Sequence, residues 1–272
     1  MLDQTTSPNM QRAKGRAHLG FVARGGKTTL MDLHQSGCVK AMLPRNHAPV
    51  MDGVLINTAG GVTGGDQLQY SATLGDDTTL CLTTQTAERI YQSSGGYGAI
   101  KTDFSVGANT TFDWLPQETI LFDQSALKRN MTVTMDASSS VMLMESIVLG
   151  RRAMGETLTS CFLSDQWRVM RSGKLAYADA LRITDPNALN TPATLGGNRA
   201  FTTLVYIAPD AEARRDQMQQ MLNFDDVITG VSAWNGCLVT RFITSDAQPL
   251  RKALIATLTQ FRNAPLPRVW HM

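Results

Sequence analysis

The chain has 272 residues, 43% of them hydrophobic and 18% charged, and a formal net charge of +2. A chain near this size buries roughly three quarters of the surface it exposes when unfolded, so a substantial core is available. Lys and Arg are spread along the sequence rather than clustered, which leaves no footprint for nucleic acid and argues against a polyanion partner.

Residues 1–18 are polar and hold no apolar run long enough for a signal-peptide core, and no stretch of the chain is long and apolar enough to span a membrane. The reading is a soluble, cytoplasmic protein whose residues 1–16 are flexible. From about residue 17 to residue 208 short segments rich in Thr, Val, Ile and aromatics recur, for instance 28–33, 80–84, 132–135 and 160–163. Gly, Asn and Asp separate them at 25–26, 74–77, 95–96, 106–109 and 171–174, an all-β signal with turn chemistry between strands. No repeat is strict enough to declare a solenoid, although strands at such intervals allow one.

Helix appears late. Residues 209–222 open with Pro209 and acids and place Met218, Met221 and Leu222 on one face. Pro249 to Phe261 repeats Leu250, Leu254, Leu258 and Phe261, with Ser245 or Asp246 as cap. Between them, Trp234 to Ile243 reads as a turn followed by a strand. No Pro- or Ser-rich linker isolates this tail, so residues 1–272 are taken as one domain, with residues 209–262 packed on a β body.

The four cysteines, Cys38, Cys81, Cys161 and Cys237, lie far apart without a Cys-x-x-Cys and read mostly as small buried hydrophobes. The four histidines form no i, i+4 pair, which argues against a stable zinc site. Gly20 to Thr28 imitates a phosphate loop, but the first glycine is one residue out of place, and a turn at Gly25 and Gly26 explains it. INTAGGVTGGD (56–66) sets two Gly-Gly pairs before Asp66. The pairs do not fit dinucleotide spacing; they read as a bend where strands approach closely, and Asp66 as a turn cap before a cation ligand.

Glu88 beside Arg89 reads as a solvated ion pair. Glu145 is the oddest acid. It interrupts VMLMESIVL (141–149), and strand alternation puts it on the face of Leu143 and Ile147, where a carboxylate is costly unless paired or lining a wet cavity. Arg151 or Arg152 is its natural partner. Paired carboxylates also allow an all-β hydrolase acting on a sugar polymer, although no aromatic sugar platform is evident. A plain β-rich binding module is the third reading.

Taken with TTQTAER (83–89), WLPQE (114–118) and LGRRAMGE (149–156), the glycine-pair segment resembles the urease accessory protein UreD (UreH) family. QSGCVKAMLP (35–44), LGGNRA (195–200) and PRVW (267–270) extend the resemblance over nearly the whole chain. It implies a mainly β fold, a spiral, helix-like stack of short strands with two α-helices toward the C-terminus.

It also implies a non-catalytic scaffold that docks on urease apoprotein, binds UreF directly and UreG through UreF, and passes nickel(II) through a polar tunnel without holding a cofactor of its own. Transit of a divalent cation asks for oxygen ligands that release it again, which suits few His and scattered Cys. Asp66, Glu88, Glu118, Glu145 and Glu156 are the acids this reading puts along the nickel path. Many members of the family carry His-Pro-Pro where this chain has Asn57, Thr58 and Ala59, so a histidine ligand there forms no part of this chain's route.

Overall fold

The computed structural model describes residues 11–44 and 50–272. A first hairpin, β1 (Lys14–Arg24) and β2 (Lys27–Gly37), turns at Gly25 and Gly26, both with positive φ. The next antiparallel pair is β3 (Val39–Met42) and β4 (Met51–Asn57). Coils of a solenoid follow. One runs through β5 (Gln67–Leu74), β6 (Thr79–Thr84) and β7 (Glu88–Ile90), the next through β8 (Gly98–Val106), β9 (Thr111–Trp114) and β10 (Thr119–Leu121). Then come β11 (Ser125–Met135), β12 (Ser140–Leu149), β13 (Cys161–Arg171), β14 (Lys174–Ile183) and β15 (Ala200–Ile207). Helix α1 (Arg215–Met221), the hairpin β16 (Ile228–Trp234) and β17 (Cys237–Thr244), and helix α2 (Ala247–Arg262) complete the order.

Two sheets result. Sheet A has seven strands in the order β14-β13-β11-β8-β5-β1-β2, and its inner strands β13, β11, β8, β5 and β1 are parallel. The antiparallel hairpin strands β2 and β14 close its two edges. Sheet B follows the order β16-β17-β15-β12-β9-β6-β4-β3, with β10 joining β12 and β7 at its side. The mainly β, stacked-coil architecture with two late helices is therefore as expected. Lys14, Gly15 and Arg16 belong to β1, paired in register with Gln67, Leu68 and Gln69, whereas residues 1–10 of the expected flexible segment lie outside the described residues.

Successive coils stack at their corners. Thr78 Oγ1 lies 3.4 Å from Thr110 Oγ1, and the Thr110 N–H donates to Ser139 Oγ at 3.1 Å. Asp77 and Asn109 occupy equivalent left-handed positions, φ 58 and 52, just before these threonines. The chain separation between stacked residues is 32 at the first step and 29 at the second, and 36 between Arg129 and Asp165, so the coil length varies.

The strand patterns follow from three layers. In β11 the residues alternate strictly, with Leu127, Met131 and Val133 facing the inter-sheet core. β12 is buried on both faces: Val141, Leu143 and Ile147 meet sheet A, while Met142, Met144 and Val148 lie under the helices. A strand covered on both sides reads as a continuous apolar run rather than an alternating one.

The Asp246 carboxylate caps α2 by accepting the Ala247 N–H at 2.6 Å, and Leu250, Leu254, Leu258 and Phe261 are buried against sheet B. α1 is shorter than the sequence suggests: residues 209–214 form turns, with the Tyr206 hydroxyl donating to Asp210 and the Arg214 guanidinium stacked over Phe261. No described helix is long and apolar enough to cross a membrane.

Candidate functional site

Strand alternation carries charged residues into the gap between the sheets. Arg129 takes an inward position on β11, Asp165 the register-paired position on β13, and Glu145 the opposing face of β12. The Arg129 guanidinium donates to both Asp165 oxygens at 3.1 and 2.6 Å, lies 2.5 Å from Glu145 Oε2, and donates to Thr119 Oγ1 at 3.0 Å. Trp114 Nε1 donates to Glu145 Oε1 at 3.1 Å and Trp167 Nε1 to Asp165 Oδ1 at 3.2 Å. All three charged side chains are 5–6% exposed.

Two carboxylates share one guanidinium here. Burial pushes Glu145 up to about 7; Arg129 and the Trp114 N–H oppose that rise and the Asp165 charge adds to it. Asp165 takes the bidentate fork and Glu145 meets the guanidinium at a single oxygen. Arg129 itself is held more firmly charged by the two acids, against the effect of its burial.

The line of polar groups continues in both directions along the solenoid axis. On one side a cavity of about 90 Å³ is lined by Glu145, Asp165, Asp179, Thr203 and Arg241 among others. Asp179 Oδ2 accepts from Arg241 at 3.0 Å and from the Tyr177 hydroxyl at 3.0 Å, at the partly exposed end of this cavity. On the other side Thr119 is in parallel register with Glu88, so the two side chains point the same way. Glu88 accepts from Asn57 Nδ2 at 3.1 Å. Burial raises Glu88 to about 7, against the Asn57 hydrogen bond and the Arg89 charge. Burial also raises the Tyr70 hydroxyl, with the charges of Glu88 and Glu145 adding to it.

The structure thus brings Glu88 and Glu145 to one inter-sheet line and places the other three acids elsewhere. Asp66 accepts the Ala13 and Thr63 amides at 2.7 and 2.9 Å, the turn-cap geometry. Glu118 meets Arg251 of α2 at 3.2 Å, beneath the helical layer. Glu156 accepts from Arg151 and from the Arg151 and Asp123 amides in a surface loop. The expected pairing of Glu145 with Arg151 or Arg152 is corrected: those arginines turn to Glu156 and Asp246, because the buried Arg129 already occupies the gap. Glu88 is likewise no solvated pair with Arg89; it is tied to Asn57.

Arg129, Asp165, Asp179 and Arg241 were not singled out by sequence. The available signal was a charge at an inward position of an alternating strand: Arg129 between Leu127 and Met131, Asp165 between Leu163 and Trp167. Among the described residues no group of three or more His, Cys, Asp or Glu is arranged to hold a metal ion. The cysteines are free, three of them buried.

A two-sheet solenoid with a charged line inside and helices over one face defines a class of β-stack proteins whose distinctive chemistry is internal. The UreD urease accessory protein family model matches residues 13–271, and the chain belongs to that family. It is similar to the urease accessory protein UreD of Rhizobium leguminosarum bv. trifolii, 43% identical over 265 residues that cover 96% of each chain. Similar counterparts are those of Rhizobium leguminosarum bv. viciae, 42% identical with 100% of both chains covered, and Dinoroseobacter shibae, 46% identical over 98% of this chain and 95% of that one.

Proposed function

We propose that this chain is a non-catalytic scaffold in the urease system: it docks on urease apoprotein, binds UreF and through it UreG, and gives nickel(II) a polar route between its sheets. Family membership supports the urease role. The observation that carries the route is the inter-sheet line of Glu88, Thr119, Glu145, Asp165 and Asp179, oxygen ligands at successive coils, with Arg129 and Arg241 among them, inside a largely apolar core. Oxygen ligands that already have protein partners bind a passing divalent cation weakly, which suits transit.

Glu88 and Glu145 are assigned to the route. The carboxylates of Asp66, Glu118 and Glu156 are held by backbone amides or arginines outside that line. The carboxylate-hydrolase reading is disfavoured by size: the cavity beside Glu145 is about 90 Å³, whereas pockets for organic ligands run to about 300–1,000 Å³.

The test is to produce the cognate urease subunits with UreE, UreF and UreG, with and without this chain, and to measure nickel per urease active site alongside urea hydrolysis. Both should rise only when the chain is present. Glu145→Gln should lower nickel content while partner binding persists; unchanged loading removes Glu145 from the route, and unchanged urease without the chain removes the scaffold reading altogether.

A further inference from the structure

Sheet B is covered on its outer side by α1 and α2, but no described element covers the outer face of sheet A. Parallel sheets ordinarily have both faces covered, and solenoids that leave one open use it as a binding surface. Alternation fixes what this face carries. Ala17, Leu19, Ile100, Phe104, Leu127 and Val169 point into the core, so Lys14, Arg16, Lys101, Lys128, Arg168 and Arg182 point out. Only Asp32 and Asp103 oppose these six cations among the described residues of the face, although the whole chain carries just +2. Charges scattered along the sequence are therefore gathered on one plane by the coil register.

The surplus is concentrated further. Ser36, Arg16, Gln69, Lys101, Asn130 and Gln166 form one continuous rung across six strands. Along it runs a groove of about 670 Å³ lined by Lys14, Arg16 and Lys101 with neutral Ser, Gln and Asn, and no carboxylate among its lining residues. Lys101 is 61% exposed and its Nζ pairs with Asp103 at 2.9 Å, just outside the groove lining, so the groove's surplus rests chiefly on Lys14 and Arg16. Among the described residues no helix projects from this face to enter a nucleic-acid groove.

We propose that this groove is a docking surface for a carboxylate-rich segment of a partner protein. The inference rests on the scaffold reading above and takes the partner to be the urease apoprotein. Neutral hydrogen-bonding residues between the cations fix the register of the segment, and the cations steer its approach.

The test compares the chain with its Lys14→Glu/Arg16→Glu/Lys101→Glu variant for binding to cognate urease apoprotein, at about 0.05 and 0.3 M salt, across which the Debye length shortens by a factor of about 2.4. The wild-type affinity should fall with salt. The variant should bind roughly tenfold or more weakly at low salt and lose the salt dependence, while Lys252→Glu, on the exposed side of α2, binds as wild type. Should the triple variant fail to fold, Lys128→Glu/Arg168→Glu samples the same face and must also weaken binding.

Equal binding by a folded reversal variant and wild type overturns the docking proposal and leaves the scaffold reading standing. A wild-type chain that neither binds the apoprotein nor raises nickel loading removes both. Tighter binding of a short duplex DNA, lost in the same variant, assigns the face to nucleic acid and overturns the proposal as stated.

Discussion

Arg129 and Glu145 meet at 2.5 Å in the gap between two sheets, with side chains 5% and 6% exposed. Breaking a buried pair by removing one partner costs about 3–5 kcal/mol, because the remaining charge is left uncompensated. Arg129 serves two acids, so Arg129→Met should reach at least that range in urea unfolding at pH 7. Adding Glu145→Gln to Arg129→Met should recover part of the loss in a double-mutant cycle. Strict additivity would mean that the two groups are not coupled in solution.

Glu88 predicts a pH dependence of definite sign. Its folded value is raised from 4.5 to about 7, so between these limits the folded state binds more protons than the unfolded one. Stability from this group is therefore fully present below about 4.5 and lost as pH rises through about 7, with a slope of at most about 1.4 kcal/mol per pH unit. Glu88→Gln, which keeps an oxygen to accept from Asn57, should flatten that slope between pH 5 and 7. An unchanged slope would show that the carboxyl titrates normally.

Gly64, of the second glycine pair, and the lone Gly230 meet two different demands that one substitution each can test. A Cβ on Gly64 would run into the Ser93 hydroxyl and the Gly95 carbonyl, while one on Gly230 would meet nothing within 4 Å. Gly64→Ala should lower stability by about 1–3 kcal/mol through overpacking. Gly230→Ala, in the exposed edge strand β16, should be neutral or stabilising by up to about 1 kcal/mol. A reversed order in thermal melts would contradict the close approach.

The C-terminal turn of α2 is fastened to sheet B by Arg262, whose Nε donates to Asp113 at 2.7 Å. Burial raises the Asp113 carboxyl and Arg262 counters that rise. Arg262→Met should cost about 3–5 kcal/mol. It should also expose Cys81, a fully buried thiol of the same layer that burial holds well above its ordinary range. Faster thiol labelling of Cys81, ahead of global unfolding, is the expected readout; labelling at the wild-type rate would place the fastening elsewhere.

Much of this was legible before the fold. Leu250, Leu254, Leu258 and Phe261 announced the buried face of α2, and Asp246 is one of the two caps the sequence offered, Ser245 being the other. Glu145 shares the inter-sheet side with Leu143 and Ile147, as strand alternation required. Its partner was not legible, because Arg129 reaches it across the gap rather than along the chain. The coil repeat was hidden by its changing length, 29 to 36 residues, which leaves no fixed period for the eye. The corner residues Asp77-Thr78 and Asn109-Thr110, each following a glycine by the same interval, were the trace of it. The basic face was missed for the same reason: its cations are neighbours only once the coils are in register.

The covering of sheet B by α2 also bears on synthesis. The parallel ladders join residues about thirty positions apart, so each new coil can settle on the last as soon as it leaves the ribosome, one loop closure at a time. Met142, Met144, Leu204, Leu238 and Phe242 all lie under a helix that follows every one of their strands in the chain. Until that helix emerges, a nascent chain with its coils complete displays an uncovered apolar sheet, and this interval is when it most needs a chaperone or a partner at hand.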